Sequence, residues 1–165
     1  MSQETISVTL THRRGYVFSA DYLEGPPSLV VDESAPLGEG EGPNPTRLLA
    51  TAVAHCLGSS LLFCLRKQRI EPTALTVRAE CDLERNERGR LRIGGIRVML
   101  GLEVNEEERA RMGRCLELFQ DYCVVTESVR KGIPVQVAVE PPVRSEVTCD
   151  TCQPADASSP PPAAA

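Results

Sequence analysis

The chain has 165 residues with a formal net charge of -5, seven cysteines, no Trp and 4% aromatic residues. That length fits one domain whose core must be aliphatic. The acidic balance, with no Lys/Arg stripe interleaved with aromatics, argues against a general nucleic-acid surface.

Residues 4–11 (ETISVTLT) alternate polar and apolar, as a half-buried strand does. HRRG at 12–15 reads as a turn and YVFSADYL as the returning strand of a hairpin. The Pro-Pro pair at 26–27 precedes a short strand over Ser28–Val31, and APLGEGEGPNP reads as loop. A long helix then opens at Asn44 as cap with Pro45 at its first position. Its apolar residues fall at 48, 49, 52, 53, 56, 57, 61, 62 and 65, at helical spacing. Small residues in its middle suit close approach of a partner element. Arg66, Lys67 and Arg69 suit its dipole, and Pro72 stops it. The apolar stretch at 48–65, broken by His55, Gly58, Ser59 and Ser60, is short and mixed for a membrane span.

Residues 75–85 and 91–104 read as two strands joined by the turn NERGR. Asn105 caps a helix with Glu106, Glu107 and Glu108 in its first turn, running through RARMGRCLELFQDY with Ala110, Cys115, Leu116 and Phe119 inward. CVVTESVRKG is a short helix closed by Gly132, and IPVQVAVE a last strand. From residue 141 the chain turns Pro-, Ala- and Ser-rich, which reads as a disordered tail behind a domain of residues 1–140. The element order predicts an α+β fold dominated by antiparallel pairing.

The N-terminus lacks a basic region followed by an apolar run, so it does not read as a secretory leader, and the expectation is a cytoplasmic protein. In that setting the seven thiols are free, metal-bound or redox-active.

Two local signatures carry a family resemblance. GPNPTRLLATAVAHCL places Cys56 eleven residues after the helix-starting Pro45, and DYCVVTESVRKGIPVQVAVE places Cys123 at the head of a short helix. Together, in this order and over residues 4–140, they resemble the OsmC/Ohr family of thiol-dependent peroxidases. The resemblance implies an OsmC-like fold: an antiparallel sheet with a long central buried helix, in an intertwined homodimer with active sites at the subunit interface. It implies hydroperoxide substrates, organic ones especially, with Cys56 as the peroxidatic and Cys123 as the resolving cysteine. It further implies an arginine from the first hairpin beside Cys56, for which Arg14 is the first choice and Arg13 the second. An external dithiol would regenerate the enzyme; no cofactor, metal, nucleic acid or membrane is implied.

The chemistry asks for the same parts. Only a thiolate attacks an O–O bond. A buried thiol is held neutral by desolvation, so a cation nearby has to reverse that. The family's peroxidases carry a Glu directly after the helix-starting Pro, holding that arginine. Here the position is Thr46, followed by Arg47, which leaves Glu39 or Glu41 as substitutes and Arg47 as an alternative arginine. This departure keeps a second expectation open: a non-catalytic relative that binds a small apolar ligand at the dimer interface.

The remaining candidates read blandly. Cys64, Cys81 and Cys115 suit structural roles. His55 points away from Cys56, because adjacent helical residues diverge, and His12 sits in the turn. Cys149 and Cys152 form a lone CxxC in the tail, without two further ligands for zinc; a tethered dithiol could reduce a Cys56–Cys123 disulfide by exchange.

Overall fold

A computed structural model describes residues 5–22 and 27–139. The proposed tail from 141, with Cys149 and Cys152, lies outside the described residues. The elements are β1 (Val8–Arg14), β2 (Val17–Tyr22), β3 (Leu29–Val31), α1 (Pro45–Lys67), β4 (Ala74–Arg85), β5 (Leu91–Glu103), α2 (Glu106–Arg111), α3 (Gly113–Leu118), a 3-10 turn (Phe119–Tyr122) and α4 (Val124–Lys131). The architecture is α+β, as expected: one antiparallel sheet in the order β1-β2-β3, one β4-β5 hairpin and a long helix.

The hairpin builds one wall of the core. Leu75, Val77, Ala79 and Cys81 pair with Leu102, Leu100, Val98 and Ile96 across the ladder. Strand alternation sends these side chains to one face and Arg78, Glu80, Asp82 and Arg97 to the other. There Arg97 is ion-paired with Asp82 and Glu80. α1 lies against the apolar face. Gly58 marks the closest approach, since a β-carbon there would stand 3.0 Å from Val77 Cγ2. Val53, Leu57, Leu61 and Leu65 of α1 are buried with Ile70, Met112, Cys115, Phe119 and Cys123 in one cluster. By length and hydropathy α1 could cross a bilayer; its buried stripe instead packs into the chain's own core.

Both ends of α1 follow sequence rules. Asn44 Oδ1 accepts the Arg47 N–H at 2.9 Å, with Pro45 at the first helical position. At the other end Ile70 N donates to Leu65 O at 3.0 Å and Arg69 N to Arg66 O at 3.0 Å. This double bond pattern places Arg69 at φ 57°, in the left-handed region that favours glycine. Leu65 and Ile70, both fully buried, supply the hydrophobic contact that accompanies it.

Four expectations change. The HRR of the anticipated turn belongs to β1, which runs to Arg14, and the ladder shifts between His12 and Arg14 so that Arg13 is the bulged residue. The single helix expected after Asn105 is broken at Met112–Gly113 into α2 and α3. Glycine is a poor helix former, and the break changes the phase: Met112, Cys115 and Phe119 turn inward, while Ala110 and Leu116 stay exposed. The thiols are not all free, because Cys64 and Cys115 form a disulfide with their Cα atoms 5.6 Å apart. The strand expected over IPVQVAVE is absent from residues 133–139, whose Val135, Val137 and Val139 are exposed. A strand exists only with a partner to complete its backbone hydrogen bonds, and the described chain supplies none to this segment.

Candidate functional site

Cys56 lies on the core side of α1, half-buried and free; Cys123 caps α4 from the position just before it, fully buried and also free. The fold brings the two thiols close enough for each to shift the ionisation of the other. They are 67 residues apart in sequence (123 − 56) and meet because α4 packs on α1. Cys123 Sγ is also hydrogen-bonded to Thr126 Oγ1 at 2.9 Å.

The two sulfurs differ in their surroundings. Burial pushes the Cys56 thiol up, and the neighbouring Cys123 adds to this; the backbone N–H groups of Val125 and Thr126 work the other way without prevailing. Burial opposes ionisation of Cys123 too. There, hydrogen bonds from Cys56, from the Thr126 hydroxyl and N–H, and from Ser60 outweigh it and hold that thiol below its ordinary value. Within this chain, the pair's first negative charge therefore rests on Cys123. The first turn of α4, aimed at both sulfurs, is the feature that sequence reasoning missed. The positive end of a helix lowers a thiol's pKa, but nothing local to GPNPTRLLATAVAHCL shows which helix will point at Cys56.

Arg14, the predicted thiolate partner, lies elsewhere. It closes β1 and forms an ion pair with Glu41, with Glu39 at 3.8 Å. The loop that carries both carboxylates is organised by Asp32, 2% exposed. Its Oδ1 accepts from Glu33 N at 2.7 Å, and its Oδ2 from Glu39 N at 2.9 Å and Glu41 N at 3.1 Å. Burial raises the Asp32 carboxyl, but these N–H donors outweigh it and the net shift is downward. Gly42 passes so close to Val30 that a β-carbon would stand 2.1 Å from its carbonyl oxygen, which fixes the end of this loop on β3. Glu41 is thus the carboxylate paired with Arg14, in the loop ahead of α1 and not at position 46. No arginine is among the groups acting most strongly on Cys56. Arg13 is exposed on the bulge, and Arg47 lines a groove with Thr51, His55 and Ser59.

Beside the thiol pair a cavity of about 470 Å³ opens between α1, β5 and α4, lined among others by Val53, Leu57, Phe119, Thr126, Val129 and Arg130. Of these, Thr126 is hydrogen-bonded to Cys123 and so joins the cavity wall to the thiol pair. Among the described residues no group of three His, Cys, Asp or Glu side chains could hold a metal ion.

The family described as OsmC-like protein matches residues 38–138. Comparison with curated proteins gives no match. Solved structures share the fold. An OsmC-like protein of unknown function from Vibrio cholerae has a TM-score of 0.63 at 16% identity, covering 76% of this chain and 94% of its own. The organic hydroperoxide resistance protein OhrB of Bacillus subtilis has a TM-score of 0.54 at 21% identity, covering 75% and 90%. An organic hydroperoxide resistance protein from Elizabethkingia anophelis has a TM-score of 0.58 at 23% identity, covering 80% and 92%.

Proposed function

The chain belongs to the OsmC-like family, and from that premise we propose that it reduces organic hydroperoxides through Cys56 and Cys123. The observation that carries the reading is the meeting of two free thiols, one half-buried and one fully buried, where α4 packs on α1, close enough for each to shift the ionisation of the other. Buried cysteines serve packing without pairing. Two free thiols that reach each other are instead one two-electron oxidation from a disulfide.

The Cys56 thiolate attacks the distal oxygen of the hydroperoxide. The O–O bond breaks, the alcohol leaves with a proton, and Cys56 becomes a sulfenic acid. The Cys123 thiolate then attacks the Cys56 sulfur, the hydroxyl leaves as water on protonation, and the disulfide forms. An external dithiol returns both thiols by exchange and is itself oxidised. The apolar cavity beside the pair favours an organic peroxide over hydrogen peroxide.

The first step needs the proton moved from Cys56 to Cys123. A guanidinium beside Cys56 does this, because the cation favours the thiolate it touches. Arg14, already oriented by Glu41, is the group we assign. It belongs to a sheet that contributes nothing to the buried cluster around Cys56, so we assign it to the Cys56 of a second subunit in a homodimer. Exposed Val8, Leu10 and Phe63 supply apolar surface for that association.

Cumene hydroperoxide consumption with dithiothreitol as reductant tests the reading. Turnover is expected for the wild-type chain and none for Cys56→Ser. Equal rates for the two proteins would remove the peroxidase. A second reading, a non-catalytic binder of a small apolar ligand, draws on the same cavity, and turnover dependent on Cys56 excludes it.

A further inference from the structure

We propose that the Cys64–Cys115 disulfide is a positioning clamp that holds Cys123 against Cys56 during the resolving step. The inference rests on the peroxidase reading and goes beyond it.

Two sulfur pairs join the same two parts of the molecule. Cys56 and Cys64 both stand on α1, eight residues apart, which is about 12 Å along the axis and about 80° around it. Cys115 and Cys123 stand on the α3–α4 arm, also eight residues apart. The arm runs antiparallel to α1 at the level of these pairs: 56 meets 123, and 64 is bonded to 115. All four sulfurs belong to one buried cluster or pack against it.

The link between the pairs is short and regular. From Cys115 the chain completes α3, turns through Phe119–Tyr122 and reaches Cys123, whose N–H donates to Gln120 O at 3.0 Å. Arg130 donates to Gln120 Oε1 at 2.8 Å, tying α4 back to the same turn. A covalent bond at Cys115 therefore fixes the position of Cys123 through seven ordered residues (116–122).

That constraint matters at one moment in the cycle. When Cys56 gains an oxygen, the new atom takes up space between the two sulfurs and pushes them apart. Cys123 must stay within bonding range, or a second hydroperoxide carries the sulfenic acid on to the sulfinic acid. The apolar contacts of Met112, Phe119, Val125 and Val129 with the core also anchor the arm, and they give way more easily than a disulfide. The clamp exchanges no electrons in this scheme; it is the same bond before and after each turnover.

The readout is the partition of Cys56 between disulfide and sulfinic acid, measured by peptide mass mapping after graded doses of cumene hydroperoxide. Cys64→Ala/Cys115→Ala is expected to raise the sulfinic fraction several-fold at equal dose, with the initial rate of Cys56 oxidation unchanged. If the bond only stabilises the fold, its loss lowers the melting temperature and leaves the partition where it was, and that result overturns the clamp. Should the double variant not fold, wild-type protein with the 64–115 pair reduced, confirmed by mass and then freed of reductant, gives the same comparison with the same two outcomes. A wild-type chain that forms neither the Cys56–Cys123 bond nor oxidised Cys56 overturns the peroxidase reading and the clamp with it. A wild-type chain that forms the bond while the variant behaves identically overturns the clamp alone.

Discussion

Arg14 closes an ion pair with Glu41 across 27 residues of sequence. The pair unites the first strand with the loop that leads into α1, and it restores a carboxylate–guanidinium unit without an acid after Pro45. Its exposure, 60% for the Arg14 side chain, makes it worth little to stability.

Arg14→Ala is accordingly expected to leave the melting temperature nearly unchanged and to slow oxidation of Cys56 about ten- to hundredfold, the worth of one charge-assisted hydrogen bond. Glu41→Gln, which keeps the shape and loses the charge, is expected to fall between that variant and wild type. Stopped-flow kinetics with cumene hydroperoxide checks both, and wild-type rates in Arg14→Ala would remove Arg14 from the mechanism.

Asp32 governs the same loop through its three backbone donors. Its folded pKa lies below the ordinary value of 3.8. A depressed carboxyl contributes stability above its unfolded pKa and loses that contribution as pH falls through the folded value. Wild-type stability is therefore expected to decline as pH drops below about 4. In Asp32→Asn that part of the decline is expected to vanish, and the melting temperature at neutral pH to be lower by a few degrees. Thermal melts across an acidic pH series report both. The same variant is expected to slow Cys56 oxidation, because Glu41 loses its anchor.

The first charge of the thiol pair rests on Cys123 because Cys56, Thr126 and Ser60 hydrogen-bond to it. Thr126→Val removes the hydroxyl at 2.9 Å. The pH midpoint of Cys123 ionisation, followed by thiolate ultraviolet absorbance in a Cys56→Ser background, is expected to move upward relative to Cys56→Ser alone. An unmoved midpoint would mean that burial, not the hydroxyl, sets this thiol.

The disulfide closes a loop of 51 residues. Loss of that constraint is worth roughly 2–5 kcal/mol on the denatured-state entropy account. Cys64→Ala/Cys115→Ala is expected to lose stability in that range in urea unfolding. By contrast Arg69→Gly is expected to gain about 1 kcal/mol, since φ 57° suits glycine and not a residue with a β-carbon.

Local signals in the sequence carried much of this fold. Asn44-Pro45 starts α1, Asn105 with Glu108 forms a reciprocal cap, and Gly132 at φ 74° closes α4. Alternation placed the β4–β5 hairpin within a residue at either end. Apart from the local break at Gly113, the failures share a physical cause, which is dependence on a distant partner. HRR prolongs β1 because β2 continues to pair with it. Residues 133–139 stay unpaired because alternation describes a strand's faces and says nothing of its neighbour. The Cys64–Cys115 bond and the turn of α4 at Cys56 arise from packing between segments some 50 or more residues apart, and no spacing encodes that.

The most direct test is peptide mass mapping of the reduced protein after one equivalent of cumene hydroperoxide. A cross-linked peptide joining Cys56 to Cys123, absent from Cys56→Ser, is the predicted result. Unchanged thiols at both positions, or oxidation confined to Cys81 and the C-terminal cysteines, would contradict it.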